Sequence, residues 1–510
     1  MNGTPLFSQA TGPGPASGRD RFRSEPVPAD RTVHRRVTEE LASFVARTSY
    51  EDLPPRVMHE TKRILLDVIG CALGSKDLEK GKLAVEFALS SGGHREATIL
   101  GIGEKVPTAL AAFANAELIH ATDHCPILPP AHVSPFVTSP ALAMAESRKA
   151  SGKSLIVALA LAHEVASRVG LSLDSMRVAT GGIAPSWGLS FDEFGAAAGA
   201  AKILNLSEES MIDALGLAGY LAPVPSHNKF LSTPGGGGMA KYGPAGWTAQ
   251  GGVTAAVLAS MGYQGDRSVL DGPSGFPAMV GSQQFNSNKI VDTLGAEWNI
   301  LRVMYKRWPS AGNFQAPLGA LSKLIEEHRL QPEEIEAIHV ENETFAMLPR
   351  FQFDQLRHNV DTQTNLAYLL AVAAHRVQIS SAWQSQETRN NPSVRELMQK
   401  VTIEAYPRAE EMRHQELVVE RREYIERRPC RVQIRARGTQ FTQSAEYAYW
   451  LASENEEYRA SDEDLVEKFR ANAEEALPPA KLDTAIDKIM HIEELPDVDA
   501  LFHELIPAGD

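Results

Sequence analysis

From Val37 to about Leu217, and again in GGVTAAVLASMGY, apolar residues recur at three- and four-residue spacing in segments crowded with alanine and glycine, as in FGAAAGAAKIL. Helices with such small side chains let their backbones approach closely, and a helix that is apolar on most sides must be covered by other helices. The pattern therefore predicts a multilayer helical core. TEELASFVARTSY and PRVMHETKRILLDVIGCALG open the series, with Pro54 and Pro55 at the start of the second helix. Further helices are predicted over 107–121, 135–149, 154–171, 194–204 and 207–217, the last capped by Ser207.

The character changes near Trp298. NILRVMYKRWP reads as extended, APLGALSKLIEEHRL as an amphipathic helix, IEAIHVENE as a strand, and about 363–376 as another helix. PCRVQIRARG and TQFTQSAEYAYWL are predicted strands on either side of a turn at Gly438. Helical periodicity returns after Ser461 in DEDLVEKFRANAEEAL and LDTAIDKIMHIEEL. The expected class is mainly α: a large helical domain over 31–297, a smaller α+β domain over 298–458, and C-terminal helices over 459–510 that rejoin the helical domain. Residues 1–30, rich in Pro, Gly and Ser, are expected to be a disordered lead-in. Arg19, Arg21 and Arg23 give it some transit-segment character, diluted by Asp20, Glu25 and Asp30, so a cytoplasmic location is expected, with mitochondrial import as the alternative.

Charge and cysteine content narrow the function. Lys and Arg number 50 against 64 Asp and Glu, a net charge of -14, which disfavours nucleic acid and anionic membrane as partners. No run is seen to approach the roughly 20 apolar residues of a membrane span. Cys71, Cys125 and Cys430 are too few and too scattered for a disulfide framework or an iron-sulfur cluster, and no metal site is expected. An anionic substrate of so acidic a chain must be held by a few local cations.

Four loci carry candidate chemistry. FANAELIHATDHCPILPPAHVS gathers His120, Asp123, His124 and His132 between two helices. An aspartate and a histidine brought together can divide acid and base roles, since burial tunes both; equally, such residues cap helix ends and start turns. LSTPGGGGMAKYGPAGW places Lys241 after a four-glycine run; no Ser or Thr follows the lysine, so it is not a P-loop. YKRWP holds Lys306 and Arg307, which on an extended segment point to opposite faces, so one of them at most enters a pocket. In DTQTNLAYLL the phenol of Tyr368 is either a proton donor or acceptor or a core tyrosine.

In chain order these loci resemble the MmgE/PrpD family, which includes 2-methylcitrate dehydratase, cis-aconitate decarboxylase and iminodisuccinate epimerase. The likeness runs from about Thr38 to the C-terminus. FANAELIHATD is similar to the family segment ending in H-A-x-D, and AHVSPFVTSPALAMAES to its H-P-S stretch. FGAAAGAAKILNLSEESMIDALGLAG, MAKYGPAGWTAQGGVTAAVLASMGYQG, YKRWP and LVEKF match as well. No single motif is specific, whereas the ordered set is.

The resemblance implies a helical domain and an α+β domain with the active site between them, a homodimer, and cofactor-free chemistry on a small di- or tricarboxylic acid. It implies acid/base roles for Asp123 and His132, an active-site tyrosine in Tyr368, and carboxylate binding by Lys241 and Lys306; Arg307 and His124 are further candidates for substrate binding. The family's D-F-D-D-T loop is replaced by Asp123, His124, Cys125, Pro126 and Ile127, one residue shorter. Histidines the family carries elsewhere are replaced by Ala311, Gln315 and Pro244, and Ser186 or Trp187 stands near a further one. The expected function is a hydro-lyase acting on a citrate-like or alkylcitrate-like acid. The alternatives are a cis-aconitate-type decarboxylase, an epimerase of a dicarboxylate, and a carboxylate-binding protein that turns nothing over.

Overall fold

The computed structural model describes residues 36–174, 184, 186–233, 238–451 and 455–507. The lead-in over 1–30 lies outside the described residues, as do 235–237 of the four-glycine run. Helix accounts for 57% and strand for 8%, which fixes the class as mainly α.

Ten helices build the first part: α1 (Val37–Arg47), α2 (Pro55–Ser75), α3 (Glu79–Ser90), α4 (Thr108–His120), α5 (Ser134–Ser147), α6 (Gly152–Ser172), α7 (Asp192–Ile203), α8 (Glu208–Leu221), the short α9 (His227–Ser232) and α10 (Ala245–Ser260). A two-residue ribbon, β1 (Ala97–Thr98) with β2 (Lys105–Val106), precedes α4. Every residue of α7 from Asp192 to Ala201 is buried, because α5, α6, α8 and α10 surround it. Small residues make that possible: a Cβ added at Gly199 would fall 2.9 Å from Cβ of Ala162, closer than side chains pack.

By length and composition α6 would qualify as a membrane span, with a mean hydropathy of 1.5, contrary to the expectation that no run comes near one. That window is 94% buried inside the protein, and its polar residues are satisfied there. Arg168 pairs with Glu164 at 2.6 Å and donates to the carbonyls of Ile290 and Asp292. It is the central helix of the core.

Single-turn helices α11 (Phe276–Met279) and α12 (Asn288–Val291) lead into the second part. The segment expected to be extended starts instead with a 3-10 turn, Asn299–Arg302, and then forms only an isolated bridge, Met304 with Ile127. Among the described residues no strand lies beside it to complete a ladder. Helix α13 (Gln315–His328) packs on a four-stranded sheet of order β4-β3-β5-β6. In it β3 (Ile335–Asn342) runs parallel to β4 (Val401–Ala405) and antiparallel to β5 (Cys430–Ala436), which pairs with β6 (Thr439–Ala445). Arg437 and Gly438 both have positive φ, 54° and 68°, the conformation of a two-residue hairpin turn.

Between β3 and β5 lie α14 (Asn359–Thr362), α15 (Leu366–Ala374), α16 (Gln386–Asn390), α17 (Pro392–Met398) and α18 (Pro407–His414). The helix expected from residue 363 starts at Leu366, because the side chain of Asn365 caps the amide of Tyr368 at 2.9 Å. Helices α19 (Asp462–Ala473), α20 (Pro479–Met490) and α21 (Asp499–Phe502) close the chain. α19 lies on α2, where Lys468 pairs with the buried Asp67 at 2.6 Å and Arg63 pairs with Asp462.

Candidate active site

Helix α4 ends at His120, and three residues later the chain enters a left-handed conformation at Asp123 (φ 55°), which short polar side chains tolerate. The loop beyond is pinned on both sides. Ile127 and Met304 exchange backbone hydrogen bonds of 2.7 and 2.8 Å, and Lys468 donates to the carbonyl of His124 at 2.7 Å.

This loop presents the Asp123 carboxylate to two buried ammonium groups. Lys306 Nζ lies 2.6 Å from Oδ1, and Lys241 Nζ lies 3.2 Å from Oδ2. Lys241 also donates to Oε1 of Gln363 at 3.0 Å. Nε2 of His132 stands 3.6 Å from Oδ1 of Asp123, in ion-pair range but too far for a hydrogen bond. No protein group among the described residues bonds Nδ1 of His132.

Burial and charge set the protonation states. Burial works against the Asp123 carboxylate, yet Lys241 and Lys306 outweigh it and hold its pKa well below the usual range. Burial, helped by Lys306 and Lys241, pushes His132 well below its ordinary value, so its ring is neutral near pH 7. Burial lowers Lys241 to about 8, against the pull of Asp123. Two ammonium groups against one carboxylate leave this end of the site with one net positive charge.

Asp123, His132 and Lys241 line a cavity of about 160 Å³, and Lys306, bonded to Asp123, lies outside that lining. That is the size class of a small organic ligand. The remaining wall is mostly apolar, including Ile127, Trp187, Phe230, Met304, Phe345 and Phe351. Asn313 and Arg428 add polar atoms, the latter paired with Glu343 at 3.2 Å.

Asp123, His132, Lys241 and Lys306 are thus brought together, and three other expected site residues are not. Tyr368 does not line the cavity; its hydroxyl donates to the carbonyl of Trp383 at 2.6 Å in the core. Arg307 turns away, its guanidinium 5.3 Å from the Trp308 ring centre and 5.8 Å from that of Trp450. Fully buried His124 hydrogen-bonds through Nε2 to the Arg307 carbonyl at 3.0 Å, outside the cavity wall. Of the substituted positions, Trp187 and Ala311 line the cavity and Pro244 does not. Gln315 clasps the backbone of Arg307 and Trp308, accepting from both amides at 3.1 Å.

Two wall residues were missed from sequence. Tyr242 stacks on His227 with ring centres 4.7 Å apart and on His132 with ring centres 6.1 Å apart. Tyr242 adjoins Lys241 in the same motif and could have been read with it. Nothing in SHNKF distinguishes His227.

A buried acid clamped by two lysines, beside a neutral histidine on a cavity wall, is an arrangement that can exchange protons and hold a small anion. The chain belongs to the MmgE/PrpD family: the MmgE/PrpD N-terminal domain matches residues 39–288 and the MmgE/PrpD C-terminal domain residues 308–492. It is 26% identical over 485 residues to the cis-aconitate decarboxylase of Homo sapiens, covering 91% of this chain and 93% of that one. It is also 26% identical over 399 residues to the cis-aconitate decarboxylase of Aspergillus terreus, covering 73% and 79%. Over 312 residues it is 27% identical to the cis-aconitate decarboxylase-like protein oryM of Aspergillus oryzae, covering 58% and 63%.

Proposed function

We propose that this chain is a carboxy-lyase for an unsaturated di- or tricarboxylic acid of the cis-aconitate type that carries an apolar substituent. The observation that carries this reading is a cavity lined by Lys241 and Asp123, with Lys306 bonded to the same carboxylate, and otherwise mostly by apolar side chains. The names of its relatives support the reaction type. A retained substrate carboxylate sits against Lys241, while Lys306, bonded to Asp123, adds its charge from outside the cavity lining. As the C–C bond to the departing carboxylate breaks, its electron pair passes into the adjacent unsaturated system and carbon dioxide leaves. The two ammonium groups stabilise the charge that develops on the retained carboxylate side. A proton then adds to carbon.

Dehydration, expected from sequence, draws less support. The names of its relatives favour decarboxylation, and Tyr368, one of the groups expected to assist a leaving hydroxyl, spends its proton on the Trp383 carbonyl, which leaves His132 or Tyr242 for that step. The test is incubation of the protein with cis-aconitate, citrate, 2-methylcitrate and alkyl-substituted analogues, with and without a chelator, read by mass spectrometry. Carbon dioxide release from an unsaturated acid, unaffected by the chelator, is the expected result. Loss of water alone, or solvent deuterium uptake without net conversion, would overturn it in favour of a hydro-lyase or an epimerase. Calorimetric binding with no product would mark a carboxylate-binding protein.

A further inference from the structure

Tyr242 links the cavity to a chain of buried polar groups leading away from it. Its Oη lies 2.8 Å from Nε2 of His120, and Nδ1 of His120 lies 3.4 Å from Nζ of Lys80. Lys80 in turn pairs with Glu117 at 2.9 Å. All four side chains are buried. Tyr242 belongs to the wall of the catalytic cavity, whereas Lys80 and Glu117 belong to that of a separate, shallower depression beside Phe87, Phe113 and Pro244. The row of side chains therefore spans from an outer depression to the catalytic cavity.

The direction of its hydrogen bonds is fixed by chemistry. An ammonium can only donate, so Lys80 makes Nδ1 of His120 the acceptor. A neutral His120 then carries its proton on Nε2 and donates it to Tyr242 Oη, leaving the hydroxyl's own proton for the cavity. Burial, with Lys241 and Lys80 adding to it, keeps His120 neutral by holding its pKa well below the ordinary value.

We propose that Tyr242, His120 and Lys80 form a proton relay that delivers a solvent proton from the outer depression to the substrate carbon. It rests on the decarboxylation described above. As the carbanionic carbon takes the Tyr242 proton, a C–H bond forms and the O–H bond breaks. The phenolate oxygen takes the proton from Nε2 of His120, and Nδ1 takes one from Lys80. Lys80 regains its proton from water in the outer depression. Rotation of the hydroxyl and exchange of the His120 tautomer reset the row. Tyr242 is the catalytic residue; His120 and Lys80 act through it.

The test compares wild type with Tyr242→Phe and Lys80→Met on cis-aconitate and its alkyl analogues in deuterium oxide. Tyr242→Phe is expected to lower kcat by roughly 10²-fold or more, with little change in KM and loss of stereospecific deuterium incorporation. Lys80→Met is expected to lower kcat less and to change the solvent isotope effect, which a merely structural residue would not do. If wild type releases carbon dioxide while Tyr242→Phe keeps its kcat and stereospecific labelling, the relay is wrong and the decarboxylase reading stands. If wild type releases none, that reading fails, and the relay is judged by nitrogen NMR of 15N-histidine-labelled protein. A neutral His120 protonated on Nε2, altered in Lys80→Met, supports the relay, and a proton on Nδ1 overturns it.

Discussion

Lys306 Nζ donates both to Oδ1 of Asp123, at 2.6 Å, and to the main-chain carbonyl of the same residue, at 2.8 Å. One ammonium thus fixes the side chain and the left-handed backbone of the acid together. Lys306→Met removes both bonds and leaves a buried carboxylate held only by Lys241. Breaking a buried pair from one side costs about 3–5 kcal/mol. The variant is expected to unfold at a clearly lower denaturant midpoint, and Lys306→Met with Asp123→Asn to recover part of the loss. A double variant no more stable than Lys306→Met would show that the two groups are not coupled.

Lys241 gives the activity an alkaline limit. With its pKa lowered to about 8, it loses its charge, and with it the hold on a carboxylate, as pH rises through that value. The rate kcat/KM is expected to fall above about pH 8. Stability moves oppositely: between about 8 and 10.5 the unfolded lysine binds a proton that the folded one does not, so this group's contribution rises with pH. Lys241→Met should remove both effects. A flat rate profile to pH 10 would refute the assignment.

The acid side is set by histidines. Burial, the largest cause for each, lowers the pKa of His120, His124 and His132 well below 6.5, and that of His163 to about 4. Below 6.5 the unfolded chain takes up protons that the folded chain refuses, so stability falls as pH falls. Asp123, whose pKa is depressed, adds its own loss only below about 3.8, as its carboxylate is protonated. The buried acids Asp192 and Glu193, whose pKa values are raised, work in the opposite sense over the same range, so the histidine contribution is read by difference. The thermal midpoint of His163→Gln is expected to gain on wild type as pH falls from 6.5 to 4, measured by calorimetry. A constant difference would mean that His163 is not held neutral.

Much of this was legible in the sequence, for reasons that differ by residue. The mainly α class followed from the Ala- and Gly-rich spacing of segments such as FGAAAGAAKIL, which became the buried α7. Lys306 and Arg307 obey the expected alternation: one enters the cluster and the other leaves it. Side-chain partners distant in sequence were not legible. Tyr368 is claimed by Trp383, and His124 by the Arg307 carbonyl 183 residues away. The strand β4 was missed although VTIEA alternates, because the run is only five residues long and no residue along it is fully buried.

Asp192 and Glu193 are fully buried, and neither carboxyl has a hydrogen-bond partner among the described residues. Burial raises both pKa values far above normal, and Glu193 adds to the rise at Asp192. A raised acid opposes folding increasingly as pH rises above its unfolded value, because only the folded form keeps the proton. Glu193→Gln, neutral at every pH, is therefore expected to raise stability at pH 7 by about 1–3 kcal/mol, with the gain shrinking toward pH 4. A loss of stability at pH 7 would mean that a bound water or ion satisfies the charged form.

Trp187 covers part of the apolar end of the cavity, its ring 3% exposed and 5.8 Å from that of Phe191. A substituent on the substrate that reaches this wall gains by leaving water, and each methylene in such a pocket shifts discrimination by about 1–3 kcal/mol. Trp187→Ala opens space there without touching Asp123 or the lysines. The variant is expected to turn over an acid with a longer alkyl chain at least tenfold better, relative to cis-aconitate, than wild type does. Competition assays with paired substrates, reported as ratios of kcat/KM, measure this directly. If the ratio stays constant along a series of chain lengths, the substituent lies elsewhere and the apolar wall serves only to exclude water from the departing carboxylate.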